Sequence, residues 1–129
     1  MRLLLDTTVL IDVLRLRHRR RELLAELLRA GHTLATSALN VAEVYAGMRP
    51  EEAQKTEALL SALDCYELTG TVARRAGALK QQWAKTGRTL TLADMIVAAI
   101  ALEHGCTLMT DNRKDFPMEE LEKFDLPAG

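Results

Sequence analysis

MRLLLDTTVLID, residues 1–12, runs three leucines, Leu3 to Leu5, straight into the carboxylate of Asp6, and then resumes with two threonines and a second apolar stretch. A short apolar run closed by a polar turn reads as a buried strand, and Thr8 to Leu16 reads as the short helix that follows it. Asp6 therefore sits at a strand-to-helix transition. There it serves either as a helix cap, accepting N–H bonds from the first turn, or as a working carboxylate.

The same strand–turn–helix pattern recurs outward from this segment. Arg20 to Ala30 repeats apolar residues at helical spacing and stops at Gly31, and Thr33 to Thr36 predicts a second strand. A helix follows around Asn40 to Ala46, and another opens at Pro50, where a proline ring is tolerated. Cys65 to Leu68 predicts a third strand and Thr71 to Lys85 a helix ended by Gly87. Thr91 to His104 is the most apolar helix, and Cys106 to Met109 a fourth strand. From Asp111 to Gly129 the pattern is weak. Short apolar strands alternating with longer helices predict a three-layer α/β/α sandwich on a mainly parallel sheet.

The chain has 129 residues, 48% hydrophobic and 27% charged, which fits one domain, residues 1–129, with a sizeable core. A formal net charge of -1 and a pI near 6.3 give none of the global basic field of a non-specific nucleic-acid binder. Cys65 and Cys106 each open an apolar stretch and are expected as buried free thiols. No apolar run approaches membrane-spanning length, and Leu3 to Leu5 is too short for a secretory core, so a soluble cytoplasmic protein is expected.

In parallel α/β sheets, ligand sites lie beyond the carboxyl ends of the strands. Asp6, Glu43, Asp94 and the pair Asp111 and Asp115 all fall at such transitions. Each has a bland reading, because Asn40, Thr91 and Asn112 stand three residues before Glu43, Asp94 and Asp115, the spacing of a capping box. An acid after almost every strand is nevertheless a joint pattern that caps alone do not require. Carboxylates crowded in one cleft repel unless a cation joins them, and an all-oxygen set suits Mg²⁺ or Mn²⁺ rather than zinc. His18, His32 and His104 lack ligand spacing.

The ordered set LLLDTTVLID, NVAEVYAG, LADMIVAAIA and TDNRKDF resembles the PIN-domain ribonuclease family, in particular the toxin component of VapBC-type toxin–antitoxin pairs. The resemblance runs from Asp6 to Phe116. It implies an acidic quartet of Asp6, Glu43, Asp94 and Asp115, with Thr8, Thr110 and Asn112 as supporting polar residues. Asp6 and Asp94 are the expected direct metal ligands, joined by Asp115, Asp111 or Glu43, in part through water. Whether Asp111 or Asp115 is the fourth acid stays open. Further implications are Mg²⁺- or Mn²⁺-dependent cleavage of structured RNA such as tRNA or rRNA, a VapB-type antitoxin partner and a homodimer.

The one concentrated basic run, RLRHRRR, offers Arg15, Arg17, Arg19, Arg20 and Arg21 either as phosphate contacts or as a solvated face. Arg74, Arg75, Lys80, Lys85 and Arg88 extend it on the same terms. Leu27, Tyr45 and Leu60 are candidates for a partner groove or for the core. Two rivals remain: a non-catalytic module of the same fold, and an aspartyl-phosphate phosphohydrolase. The latter is disfavoured because Thr8 stands where that chemistry wants a second Asp. No phosphate-binding GxxxxGK[ST] or GxGxxG loop occurs.

Overall fold

A computed structural model describes residues 1–127. Strand β1 (Arg2–Leu5) leads into α1 (Thr7–Leu14) and α2 (Arg20–Arg29), and β2 (Thr33–Ser37) into α3 (Ala38–Gly47). A 3-10 turn (Pro50–Glu52) then opens α4 (Ala53–Ser61). The remaining elements are β3 (Asp64–Tyr66), α5 (Gly70–Ala84), α6 (Leu92–Glu103), β4 (Thr107–Met109) and a 3-10 turn (Arg113–Asp115). The strands form one sheet in the order β3-β2-β1-β4, and every pairing is parallel.

Alternation along β1 divides the core. Leu3 and Leu5 pack with Val9, Leu10, Leu24, Leu34 and Val44 on one face, whereas Leu4 joins Val72, Ala76, Ile100 and Leu108 on the other. Because both faces are covered, β1 carries leucine at three successive positions instead of alternating with polar residues. Each β1 leucine is fully buried, a contribution of up to about 1.5–3 kcal/mol apiece. The expected three-layer sandwich is the observed one.

Three local expectations change, and one open alternative is resolved. The strand-to-helix step at β2 has no intervening loop: Ser37 ends the strand and caps α3, its Oγ accepting from Asn40 N at 3.2 Å. Asn40 is therefore inside the helix and is not its cap. Strand β3 is a three-residue edge strand, so Cys65 is exposed, while Cys106 is buried as expected. Leu27 and Leu60 pack against the core and Tyr45 stays exposed, its hydroxyl donating to Glu57. Finally, the weakly patterned tail is core: Phe116, Met118 and Leu121 are fully or almost fully buried. It also closes the outer edge of β4, where Leu108 N donates to Glu122 O and Phe124 N to Leu108 O, both at 2.8 Å.

No helix among the described residues is long and apolar enough to cross a membrane. Phe116→Ala removes a wholly buried aromatic and should cost about 3–5 kcal/mol in urea denaturation. An unchanged midpoint would mean that the tail is not part of the cooperative core.

Candidate active site at the carboxyl edge of the sheet

The register sets Leu4 opposite Ala35 and Leu5 opposite Met109, so Asp6, Ser37 and Thr110 arrive together at one edge. Asp6 is 7% exposed, and its carboxylate is the hub of that edge. Oδ1 accepts from Thr7 N at 3.0 Å and Asn40 Nδ2 at 3.1 Å, and Oδ2 accepts from the Thr110 hydroxyl at 2.7 Å. Asn40 is fully buried and fully used: its amide also donates to Thr7 Oγ1 at 3.0 Å, while its Oδ1 accepts from the Ser37 hydroxyl at 2.6 Å. Thr7 passes the network on, donating to Glu43 Oε1 at 2.7 Å. Asn112 completes it through its backbone N–H, which donates to Thr110 Oγ1 at 3.0 Å.

Two of these residues were not expected here. Thr7, rather than Thr8, is the hydroxyl joined to the acids, and Thr8 Oγ1 is buried with no hydrogen-bond partner. Asn40 had been read as a cap. The legible signal was its spacing, because Asn40 and Glu43 are three residues apart on one helix and so share a face.

Asp94 does not follow a strand as expected, because α6 comes directly after α5; Thr91 caps α6 and accepts from Asp94 N at 3.1 Å, as the spacing predicts. Burial lifts the Asp94 carboxyl above its ordinary range, and the charges of Asp6, Asp115 and Glu43 lift it further, against the Thr91 hydroxyl. Asp6 is likewise raised, first by burial and then by Glu43, with its three hydrogen bonds pulling the other way. These mutual repulsions place all four carboxylates in one electrostatic neighbourhood. Among the described residues none of the four forms an ion pair.

Asp111 is different: it pairs with Arg20 Nη2 at 2.8 Å. Arg20 is thereby removed from the set of RNA contacts expected in the basic run, for it is buried. Arg15 is occupied too, its Nε donating to Glu52 Oε2 at 3.1 Å and holding that carboxyl down at about 2. Arg17, Arg19 and Arg21 remain exposed. The α1–α2 connection, which carries Arg17 and Arg19, holds Leu16, His18 and Arg19 at positive φ, a cost of about 1–2 kcal/mol per residue. In the extended set, Arg75 pairs with Glu103, and Lys80 and Arg88 donate to the carbonyls of Leu90 and Lys114.

A divalent cation fits the chemistry of this edge. The donors are all oxygen, and four acids stand without a cationic side chain beside them. Three hydrogen bonds against about four lone-pair sites leave Asp6 one free acceptor position. Among the described residues no three acids, histidines or cysteines are close enough to enclose an ion by themselves. Mg²⁺ commonly takes one or two carboxylates and keeps several waters, so Asp6 and Asp94 would be the residues to hold it.

A parallel sandwich with unpaired acids at its carboxyl edge defines a class, and the sequence agrees with it: residues 3–119 match the PIN domain family, and the chain belongs to that family. It is 36% identical over 115 residues to Ribonuclease VapC19 of Mycobacterium tuberculosis, covering 89% of this chain and 92% of that protein. A toxin–antitoxin complex from Klebsiella pneumoniae matches at 30% identity and a TM-score of 0.75, covering 92% of this chain and 93% of that one. VapBC2 from Rickettsia felis, bound to a promoter DNA fragment, matches at 25% identity and a TM-score of 0.80, covering 97% of this chain and 100% of that one.

Because Asp94 binds its proton more tightly in the fold than in the unfolded chain, its ionisation lowers stability as pH rises from the ordinary value of 3.8 through the raised one. Asp94→Asn should therefore raise the melting temperature of the metal-free protein by about 2–4 °C at pH 7. The gain should shrink as the pH approaches 4. A melting temperature that falls at pH 7 would show that the four charges do not strain the fold.

Proposed function

We propose that this chain is a Mg²⁺- or Mn²⁺-dependent endoribonuclease acting as the toxin of a toxin–antitoxin pair, with structured RNA such as tRNA or rRNA as substrate. The observation that carries the reading is the set of unpaired carboxylates, Asp6, Glu43, Asp94 and Asp115, around one hydrogen-bonded hub. The similarity to proteins named ribonucleases supports it. Asp6 and Asp94 would hold the ion, with Glu43 and Asp115 orienting its waters. When bound, the ion would lower the pKa of a water and stabilise charge on the phosphoryl oxygens.

The chain's own residues fix where this happens. Asn40, Thr7 and Thr110 all donate to Asp6, keeping its carboxylate oriented and favouring its charged form despite burial. Thr7 holds one oxygen of Glu43 and leaves the other free. Attack of water on phosphorus with departure of the 3′ oxygen would break the P–O3′ bond, leaving a 5′-phosphate and a 3′-hydroxyl. Arg17, Arg19 and Arg21 are the exposed arginines of the basic run, without an ion pair among the described residues, and would contact phosphates.

The partner reading rests on a different surface. An apolar groove of about 490 Å³ runs between α1, α2 and α4, lined by Val13, Leu14, Leu24, Leu28, Leu59 and Leu63 and flanked by Arg21 and Lys55. It suits an amphipathic antitoxin helix with acidic flanks, held by its apolar side chains. Homodimerisation is part of the same reading.

Purified chain with Mg²⁺ or Mn²⁺ should cleave structured RNA, and EDTA should stop it. Asp94→Asn should lower the rate at least 100-fold while leaving the fold intact by circular dichroism. Full activity in that variant would overturn the mechanism. Leu28→Glu, at the mouth of the groove, should leave cleavage intact but abolish neutralisation by the cognate antitoxin in a growth assay.

A further inference from the structure

Arg20 stands where three separated parts of the chain meet. Its side chain is 5% exposed, and it belongs to a helix start, where the dipole favours acids over bases. Nothing local recommends arginine there. Its partners are distant: Nη2 donates to Asp111 Oδ1 at 2.8 Å, Nη1 donates to Pro127 O at 3.1 Å, and Nε lies 3.8 Å from Asp12 Oδ2. Nε makes no hydrogen bond, and Asp12 is itself buried, so one guanidinium is shared between two carboxylates and hydrogen-bonds only that of Asp111.

The position of Asp111 gives the arrangement its meaning. Asp111 follows Thr110, whose hydroxyl supports Asp6, and precedes the 3-10 turn that carries Asp115. A free carboxylate there would add a fifth negative charge to a sheet edge that already carries four unpaired ones. With Arg20 in place that charge is paired, Nη2 standing 2.8 Å from Asp111 Oδ1.

We propose that Arg20 is a positioning residue of this site: by holding Asp111 in an ion pair turned from the other acids it limits the acidic set to Asp6, Glu43, Asp94 and Asp115. This rests on the metal-dependent reading above and sharpens it, because it makes Asp115 the fourth acid and Asp111 a structural one. A role as an RNA phosphate contact is a different function for the same residue, and the test separates the two.

The test compares the full chain with Arg20→Gln, Asp111→Asn and the double variant, measuring Mn²⁺ affinity by calorimetry without RNA and kcat and KM with it. Asp111→Asn should stay within about twofold of the unsubstituted chain in both Mn²⁺ affinity and kcat. Arg20→Gln should change the Mn²⁺ dissociation constant at least threefold and lower kcat at least tenfold with KM little changed. Adding Asp111→Asn to it should restore Mn²⁺ affinity and most of kcat. A double variant no better than Arg20→Gln overturns the proposal, as does a rise in KM alone, which marks an RNA contact, or loss of Mn²⁺ binding in Asp111→Asn, which marks a ligand. Stability does not discriminate, because Asp12 loses its partner in both Arg20 variants. Should Arg20→Gln not fold, Arg20→Lys keeps a cation opposite Asp111 and should retain Mn²⁺ affinity; a folded Lys variant without it also overturns the proposal. An unsubstituted chain that binds no Mn²⁺ overturns the metal-dependent reading itself, and this inference with it.

Discussion

A buried carboxylate with donors from three separate elements governs this molecule. Asp6 ends β1, Asn40 comes from α3 and Thr110 follows β4, so the hydrogen bonds on one side chain fix the relative positions of three strand ends. Burial raises the cost of the charge and the three donors lower it. The packing underneath is what makes the compromise possible: β1 is central, both its faces are covered by leucine contacts, and its end has no freedom to drift. Precise placement of one acid is thus an outcome of the apolar core.

The distribution of cations follows the same logic. Arginines pair with Asp12, Asp111, Glu52, Glu103 and Asp125, while Asp6, Glu43, Asp94 and Asp115 are left to repel one another. Energy is given up locally where charge must stay available, a pattern expected of sites shaped for function more than for stability. The basic run RLRHRRR divides in the same way. Arg20 turns inward to tie elements together, Arg15 holds Glu52, and the others face water.

What the sequence made legible was whatever local pattern determines. The leucines of β1, the Thr91 cap, the glycine-stopped helices and the acids after β1, β2 and β4 all follow from neighbours within a turn or two, and they led to the sandwich and to its carboxyl edge. Relations that span the chain were hidden. Nothing near Arg20 in sequence announces Asp111, and a tail of mixed polarity hides Phe116, Met118 and Leu121, whose spacing matches neither helix nor strand. Asn40 was misplaced because β2 passes into α3 without a loop, so that Ser37 does the work of strand end and cap together. Cys65 was misread because an edge position is a fact of topology, invisible to composition.

The closing of the tail over β4 bears on how such a chain could be made. The outer edge of β4 and the face packed by Phe116 and Leu121 are completed only by residues beyond the last acid-bearing turn. A nascent chain that has just exposed Asp6, Glu43 and Asp94 therefore has its carboxylates but no finished core to hold them in register. Since domains generally fold as units, order at the carboxyl edge depends on the tail that pairs with β4 and packs Phe116 and Leu121 into the core.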